Sequence, residues 1–245
     1  MNIWNGIYAG FTSDENAKYG FVNHSWIDRS VERLELLKSG NATPFDQVTT
    51  IDTSTLAIAL VCASQNNKQL VVLDVGGNLG QTALLLSTQL GNPMIKWVVL
   101  EREDFLHACS EKTTLPAGIE FISEIDSINA APNVIHFGSS LQYFEDWRGA
   151  TDSAVRPESE WVVLSDIPGN YSIPTFTSHQ KYYEDHLNCW FFNVDEIIEQ
   201  MLNLGFKLLF QRPHITEVTK KYFPETSFPP SHRIEYPIDL LFRRV

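Results

Sequence analysis

Residues 71–86, VVLDVGGNLGQTALLL, join a short apolar run to an amphipathic segment through a loop that holds three glycines. A β-branched run, then glycines, then helix-forming residues is typical of a strand, a tight turn and a helix. Glycine lets the chain turn sharply and lets backbone N–H groups approach a ligand without a Cβ in the way. This stretch therefore predicts a β-α unit with a ligand-binding loop at the carboxyl end of its strand.

Further apolar runs alternate with helical segments along the rest of the chain. The runs are 96–101, 119–123, 133–138 and 161–167, and the helical segments are 81–90, one around 104–112, and 139–149. Near-continuous apolar strings suit strands that are covered on both faces. The sequence therefore predicts an α/β fold with a doubly wound, mostly parallel Rossmann-like sheet and helices on both faces. Two last runs, 206–216 and 234–245, predict an antiparallel C-terminal hairpin.

The chain has 245 residues, which is an ordinary length for one α/β domain, and we expect residues 1–245 to form a single domain. Within it, residues 1–69 are expected to form an N-terminal helical cap and residues 70–245 the cofactor-binding core. The aromatic-rich stretch 169–190 is too long for a plain connection, so we expect an ordered lid. Asn193 is predicted to be the N-cap of a helix that follows this stretch.

Charge and composition exclude several classes of function. The net charge is −12, which disfavours nucleic acid as a partner, since nucleic acid is bound mainly through Lys and Arg. Neither a signal-peptide pattern nor an apolar run of membrane-spanning length is present, so we expect a cytoplasmic protein with no membrane insertion. The three cysteines form no CxxC pair and no HExxH motif occurs, so no metal is predicted. The oligomeric state stays open, and a homo-oligomer is compatible with the sequence.

Two acids restrict the ligand of the glycine loop. Asp74 precedes the glycines and would repel a pyrophosphate, and the spacing G-G-x-x-G differs from the G-x-G-x-x-G of dinucleotide-binding loops. Glu101, 27 residues further on, ends the next predicted strand, where a carboxylate can accept hydrogen bonds from two ribose hydroxyls. The alternative for Glu101 is a solvated strand-end acid. A ligand with a ribose and a charged amino acid but no phosphate is S-adenosylmethionine. Its predicted binding residues are Asp74, Gly76, Gly77, Asn78, Gly80, Glu101, Phe137 and Gly138.

Four segments resemble class I S-adenosylmethionine-dependent methyltransferases. They are IWNGIYAGF, LDVGGNLGQT, NVIHFGSSLQYFEDW, and WVVLSDIPG followed by TSHQ, and the resemblance runs from residue 3 to about residue 210. Within that class they resemble a bacterial family found with surface-polysaccharide biosynthesis functions. The family more often has glycine where Asn78 stands, and tends to carry Asp-Arg where this chain has Ser165-Asp166. The resemblance implies methyl transfer from S-adenosylmethionine to a hydroxyl or amine of a sugar or another small molecule.

Methyl transfer requires alignment of the acceptor and, for a hydroxyl, removal of a proton. Asp166 ends a predicted strand and His179 lies in the stretch beyond it, so these two are the predicted catalytic residues. His136 lies inside an apolar run and is predicted to be a hydrogen-bonded core histidine. Two other functions stay open. One is a catalytically inactive methyltransferase fold with a binding or regulatory role, and the other is an NAD-dependent oxidoreductase, which Asp74 and the glycine spacing disfavour.

Overall fold

A computed structural model of the chain describes residues 3–12, 21, 23–40, 52–67, 69–91, 94–183, 185–216, 219 and 228–245. The strands are β1 Trp4–Tyr8, β2 Leu70–Val75, β3 Ile95–Leu100, β4 Ile119–Ile122, β5 Val134–Gly138, β6 Trp161–Ile167, β7 Gly169–Asn170, β8 Phe176–Tyr182, β9 Asp185–Asn193, β10 Phe206–Pro213 and β11 Ile238–Arg244. The helices are α1 His24–Lys38, α2 Ser54–Ser64, α3 Gln81–Leu90, α4 Glu103–Ser110, α5 Trp147–Ala154 and α6 Val194–Asn203.

Seven strands form the main sheet in the order β10-β11-β6-β5-β2-β3-β4. The pairs between β6, β5, β2, β3 and β4 are all parallel, whereas β11 is antiparallel to both β6 and β10. The structure thus confirms the predicted fold class, including the antiparallel C-terminal hairpin. The chain order reverses between β2 and β5, and ligands of such sheets bind in the crevice at the carboxyl ends of the strands beside that point.

Helices cover both faces of the main sheet, which explains the continuous apolar strands. On one face α2 and α3 pack against buried side chains of alternate strand positions, namely Leu56, Leu60, Ala83 and Leu86 against Leu70, Val72, Trp97, Val163 and Leu241. On the other face α5 and α6 contribute Trp147, Ala154, Ile197 and Met201 against Leu73, Val98, Ile135, Leu164 and Phe242. Both sets of strand side chains are therefore withdrawn from water.

The predicted helix over residues 139–149 is wrong. A short 3-10 turn spans Leu141–Tyr143, and the helix α5 begins only at Trp147. Phe144 is extended, and the Asp146 carboxylate accepts a hydrogen bond of 2.9 Å from the backbone N–H of Gly149. The Asp146 carboxylate satisfies a backbone N–H that the first turn of a helix leaves without a partner. This cap favours a helix that begins at Trp147 over one that continues through residues 139–149.

A second sheet has the order β1-β8-β9-β7 and contains most of the stretch predicted to be a lid. The stretch is ordered as an antiparallel hairpin of β8 and β9, and β1 pairs with the outer edge of β8. The hairpin leads into α6, whose predicted N-cap is confirmed because the Asn193 side chain accepts from the backbone N–H of Asp195 at 2.9 Å. Among the described residues no helix is long and apolar enough to cross a membrane.

Candidate functional site

The glycine loop follows β2 and is tied to the neighbouring strand. Gly76 and Gly80 have φ angles of +69° and +74°, a backbone region that favours glycine, and Asn78 adopts a φ of +54°. The backbone N–H of Gly76 donates to the carbonyl of Leu100 at 2.8 Å. A Cβ added at Gly76 would lie 2.7 Å from the Cβ of Ser140, so only glycine leaves room for the residues that follow β5. The loop therefore lies at the crevice between β2 and β5.

Asp74 is a buried acid with one oxygen unpaired. Its Oδ1 accepts from Nδ1 of His136 at 2.8 Å, whereas its Oδ2 is buried without a hydrogen-bond partner among the described groups. A Cβ added at Gly77 would lie 2.6 Å from that Oδ2, so glycine keeps the space beside the oxygen open. Such an orphaned acceptor costs free energy unless a donor reaches it. A cationic or N–H group of a ligand at the glycine loop would fit this requirement.

His136 connects three strands inside the sheet, as predicted for a core histidine. Its Nδ1 donates to Asp74 on β2, and its Nε2 lies 3.3 Å from Oγ of Ser165 on β6. Its side chain is 5% exposed. This chain of contacts fixes the Asp74 carboxylate, because β5 carries His136 between the two other strands.

Glu101 contacts the glycine loop directly. Its Oε2 accepts from the backbone N–H of Asn78 at 3.0 Å, and its Oε1 accepts from the backbone N–H of Arg102 at 2.9 Å. Burial raises the pKa of this carboxyl above its ordinary value, although the two hydrogen bonds lower it in part. Each carboxylate oxygen retains a further acceptor position, so the group can still accept from a ligand hydroxyl. Glu101 and the loop therefore form one continuous surface.

The remaining predicted cofactor residues end β5 at the same edge. The ring of Phe137 is buried in the main core, where it packs edge-on against Phe144 at 6.2 Å between ring centres. A Cβ at Gly138 would lie 2.5 Å from Cε1 of His136. The glycine thus lets β5 pass over the imidazole, whereas Phe137 contributes its side chain to the core and only its backbone to the edge. Their contact with a cofactor stays a prediction.

Asp166 lies at the carboxyl end of β6 beside Ser139, which follows β5. Both residues have left-handed backbone conformations, with φ angles of +57° and +56°. Oγ of Ser139 donates to the Asp166 carboxylate at 2.6 Å. Burial raises the pKa of Asp166, while the nearby charge of His214 and the Ser139 hydrogen bond lower it in part. Strained non-glycine residues of this kind concentrate at functional sites.

His179 is not brought into contact with Asp166. Its Nε2 lies 2.6 Å from Oγ1 of Thr12, and its ring stacks on Tyr8 with 4.7 Å between ring centres. The adjacent strand residue, Gln180, points to the opposite face of the second sheet and accepts a 2.8 Å hydrogen bond from the Tyr143 hydroxyl. These contacts favour a role for His179 in holding residues 8–12 on β8, and its role as a base stays a prediction.

A buried polar network beside Asp166 escaped the sequence prediction. Its centre is Asp239, which is fully buried on β11. Oδ1 of Asp239 accepts from Nδ1 of His214 at 2.7 Å and from the backbone N–H of Asp166 at 3.0 Å. Oδ2 accepts from Oγ1 of Thr55 at 2.7 Å and from Nε of Arg212 at 3.0 Å. The sequence does contain a sign of this network, because an aspartate interrupts the apolar run of β11. A charge buried in a strand requires partners.

Opposite charges set the protonation of this network. Burial alone would raise the pKa of Asp239, but the hydrogen bond and the charge of His214 lower it to about 2. Burial lowers the pKa of His214, and the hydrogen bond to Asp239 together with nearby acids raises it above its ordinary value. Asp52, His214 and Asp239 offer ligand atoms within 4.8 Å of one another. Arg212 already pairs with both carboxylates, so the positive charge is supplied by the protein itself.

Several methyltransferases are among the solved structures to which this chain is similar. The 1,6-didemethyltoxoflavin-N1-methyltransferase of Burkholderia thailandensis, solved with S-adenosylhomocysteine, is 12% identical, with a TM-score of 0.52 over 99% of this chain and 95% of that chain. The methyltransferase CcbJ of Streptomyces caelestis is 13% identical, with a TM-score of 0.51 over 86% and 96% of the two chains. The glycopeptide N-methyltransferase MtfA, also solved with S-adenosylhomocysteine, is 11% identical, with a TM-score of 0.51 over 86% and 97%.

No protein-family model and no curated protein sequence matches the chain. The similarity covers 86–99% of this chain and 95–97% of the three other chains, at a sequence identity of 11–13%. The comparison therefore establishes the fold of the chain. The chain has the Rossmann-like fold of the class I methyltransferases.

Proposed function

We propose that this protein is an S-adenosylmethionine-dependent methyltransferase that acts on a small-molecule acceptor. The observation that carries the proposal is the hydrogen bond from the Asn78 backbone to Glu101. It joins the glycine loop and the strand-end acid into one surface at the point where the strand order reverses. The fold neighbours that contain S-adenosylhomocysteine support the same cofactor here.

The residues at the loop fit such a cofactor. Glu101 would accept hydrogen bonds from ribose hydroxyls, and the unpaired Oδ2 of Asp74 is an acceptor for a cationic or N–H donor. Gly77 keeps a side chain out of the space beside the Asp74 oxygen. When bound, the cofactor supplies a methyl group that is already activated by its sulfonium sulfur. The protein then has to align the acceptor and take its proton.

The acceptor site is proposed to lie at the carboxyl ends of β5 and β6. Ser139 and Asp166 offer a hydroxyl and a carboxylate there, and Tyr143 connects this edge to the second sheet through Gln180. Aromatic side chains beside polar groups suit an amphipathic acceptor such as a sugar. The narrower proposal is that the acceptor group is a hydroxyl or amine of a sugar and that the protein acts in polysaccharide biosynthesis. This part of the proposal is supported by the sequence resemblance alone.

Calorimetry of the purified chain tests the cofactor. We expect S-adenosylhomocysteine to bind with a micromolar Kd, which corresponds to roughly −8 kcal/mol. NAD is the matched control, because it shares the adenosine but adds the pyrophosphate that Asp74 would repel, and we expect no measurable heat of binding. Binding of NAD with no binding of S-adenosylhomocysteine would overturn the proposal. Binding of S-adenosylhomocysteine without methyl transfer to any acceptor would instead indicate an inactive binding protein.

A further inference from the structure

We propose that His214 is the residue that takes the proton from the methyl acceptor, and that Asp239 is its positioning residue. The inference rests on the proposed function and names a base for that same site. It is carried by one shared atom, Oδ1 of Asp239, which accepts hydrogen bonds both from the His214 ring and from the Asp166 backbone.

This shared atom places the imidazole at the carboxyl edge of the main sheet. β6 ends beside Asp166, and β10 runs parallel to β6, so the residue that follows β10 reaches the same edge. β11 is antiparallel to both, so Asp239 near its start lies there too. Three strands therefore deliver His214, Asp239 and Asp166 to the side of the sheet on which the glycine loop opens.

Asp239 also determines which nitrogen of His214 can act as a base. A carboxylate with a pKa of about 2 is ionised near neutral pH and can only accept, so Nδ1 of His214 carries the proton of the neutral ring. The lone pair of the neutral imidazole is then on Nε2, which has no hydrogen-bond partner among the described residues. By contrast, Nε2 of His179 is engaged by the Thr12 hydroxyl.

The surrounding charges favour the protonated form that such a base must reach. Three acids raise the pKa of His214, namely Asp239 on β11, Asp166 on β6 and Asp52 before α2. The cationic Arg212 of β10 is paired with Asp52 and Asp239. Against burial, these acids raise the pKa of the imidazole. An imidazole whose pKa is raised above its ordinary value is a suitable base for proton removal near neutral pH.

The proposed step balances without a further reactant. The acceptor oxygen or nitrogen forms a bond to the methyl carbon while the bond from that carbon to sulfur breaks and leaves its electron pair on sulfur. The acceptor proton passes to Nε2, and His214 becomes an imidazolium that Asp239 stabilises. Transfer of this proton to solvent then restores the neutral ring.

Nitrogen-15 NMR of the labelled full chain tests the geometry without any acceptor. We expect the neutral His214 ring to carry its proton on Nδ1, and its pKa to lie above the ordinary value of 6.5. Asp239→Asn should lower that pKa, and Asp52→Asn, which leaves the hydrogen bond in place, should lower it less. A proton on Nε2 in the neutral wild-type ring would overturn the proposal, even where the Asp239 variant fails to fold.

Turnover tests the role of the base. The assay would follow S-adenosylhomocysteine formation with a panel of hexoses and amino sugars, free and nucleotide-linked. His214→Gln should lower kcat by about 10²–10⁴ while the Kd for S-adenosylhomocysteine is unchanged, and the wild-type kcat should rise with pH through the pKa found by NMR. His107→Gln, at an exposed histidine of α4, should leave kcat unchanged.

Retention of kcat in His214→Gln, or loss of kcat only in His179→Gln, would overturn the assignment of the base. Failure of the wild type to bind S-adenosylhomocysteine would instead overturn the proposed function, and the proposed reaction role with it. If the cofactor binds but no acceptor in the panel reacts, the NMR result still tests the proposal. A proton on Nδ1 of the neutral His214 ring supports it, and a proton on Nε2 overturns it.

Discussion

Single residues at the carboxyl edge were predictable where their partners are close in the sequence. Asp74 lies on β2 directly before the loop that holds the glycines and Asn78, and Glu101 directly follows β3, so a β-α-β pattern is enough to bring them together. The Asp239 network joins α2, β6, β10 and β11, and no spacing in the sequence relates these elements. Such a network becomes visible only when the strand order is known.

Glu101 gives a prediction at this scale. Glu101→Gln should weaken binding of S-adenosylhomocysteine at least about tenfold, because a hydrogen bond to a charged group contributes roughly 1.5–3 kcal/mol. Since burial raises the pKa of Glu101 above its ordinary 4.5, wild-type affinity should also fall as the pH is lowered through that raised pKa, and the variant should lack this fall. Calorimetry at several pH values measures both.

The control for this prediction is Glu103→Gln, which removes an exposed acid from the first turn of α4. It changes the net charge by the same amount and should leave the Kd unchanged. Equal losses in the two variants would show that Glu101 acts only through long-range charge, and so would contradict a direct contact with the ribose.

At the scale of elements, the bounds of α3 match the predicted helix 81–90, and β2 is the strand predicted before the glycine loop, since a local pattern of apolar residues and glycines decides both. The hairpin of β8 and β9 was predicted only as an ordered segment. Its turn has Tyr183 in the left-handed region, with a φ of +55°, where hairpins usually carry Asn or Gly. The sequence therefore lacks the usual turn signal, and the hairpin depends on pairing with β1 and on packing against the main sheet.

The hydrogen bond from Tyr143 to Gln180 gives a prediction about how the second sheet is attached to the main sheet. Tyr143→Phe should lower the free energy of unfolding by about 1–2 kcal/mol, because the ring contacts stay while the Gln180 oxygen loses its 2.8 Å donor. Tyr171→Phe is a matched control, since Tyr171 also donates to a glutamine oxygen, on Gln211, but is 45% exposed. It should cost close to nothing in urea unfolding. Equal losses would contradict a structural role specific to the Tyr143 hydrogen bond.

For the molecule as a whole, the Asp239 network predicts how stability depends on pH. The pKa of Asp239 is lowered from 3.8 to about 2 in the folded chain, so its contribution is fully present above pH 3.8 and is lost as the pH falls towards 2. The lost contribution amounts to roughly 2–3 kcal/mol. The difference in unfolding free energy between wild type and Asp239→Asn should therefore shrink by this amount between pH 5 and pH 2. A difference that stays constant over this range in urea titrations would contradict the network.

β1 precedes the other described strands, yet it pairs with β8, and the backbone N–H of Thr12 donates to the side chain of Asn188 across 176 positions. During synthesis the ribosome therefore delivers β1 long before any partner for it exists. β2, α3 and β3 can meet through short connections, whereas the pairing of β1 with β8 closes a long stretch of chain and requires β8 to have emerged. A nascent chain that ends before β8 contains strands β2 to β6 of the main sheet, with β1 still hydrogen-bonded to water.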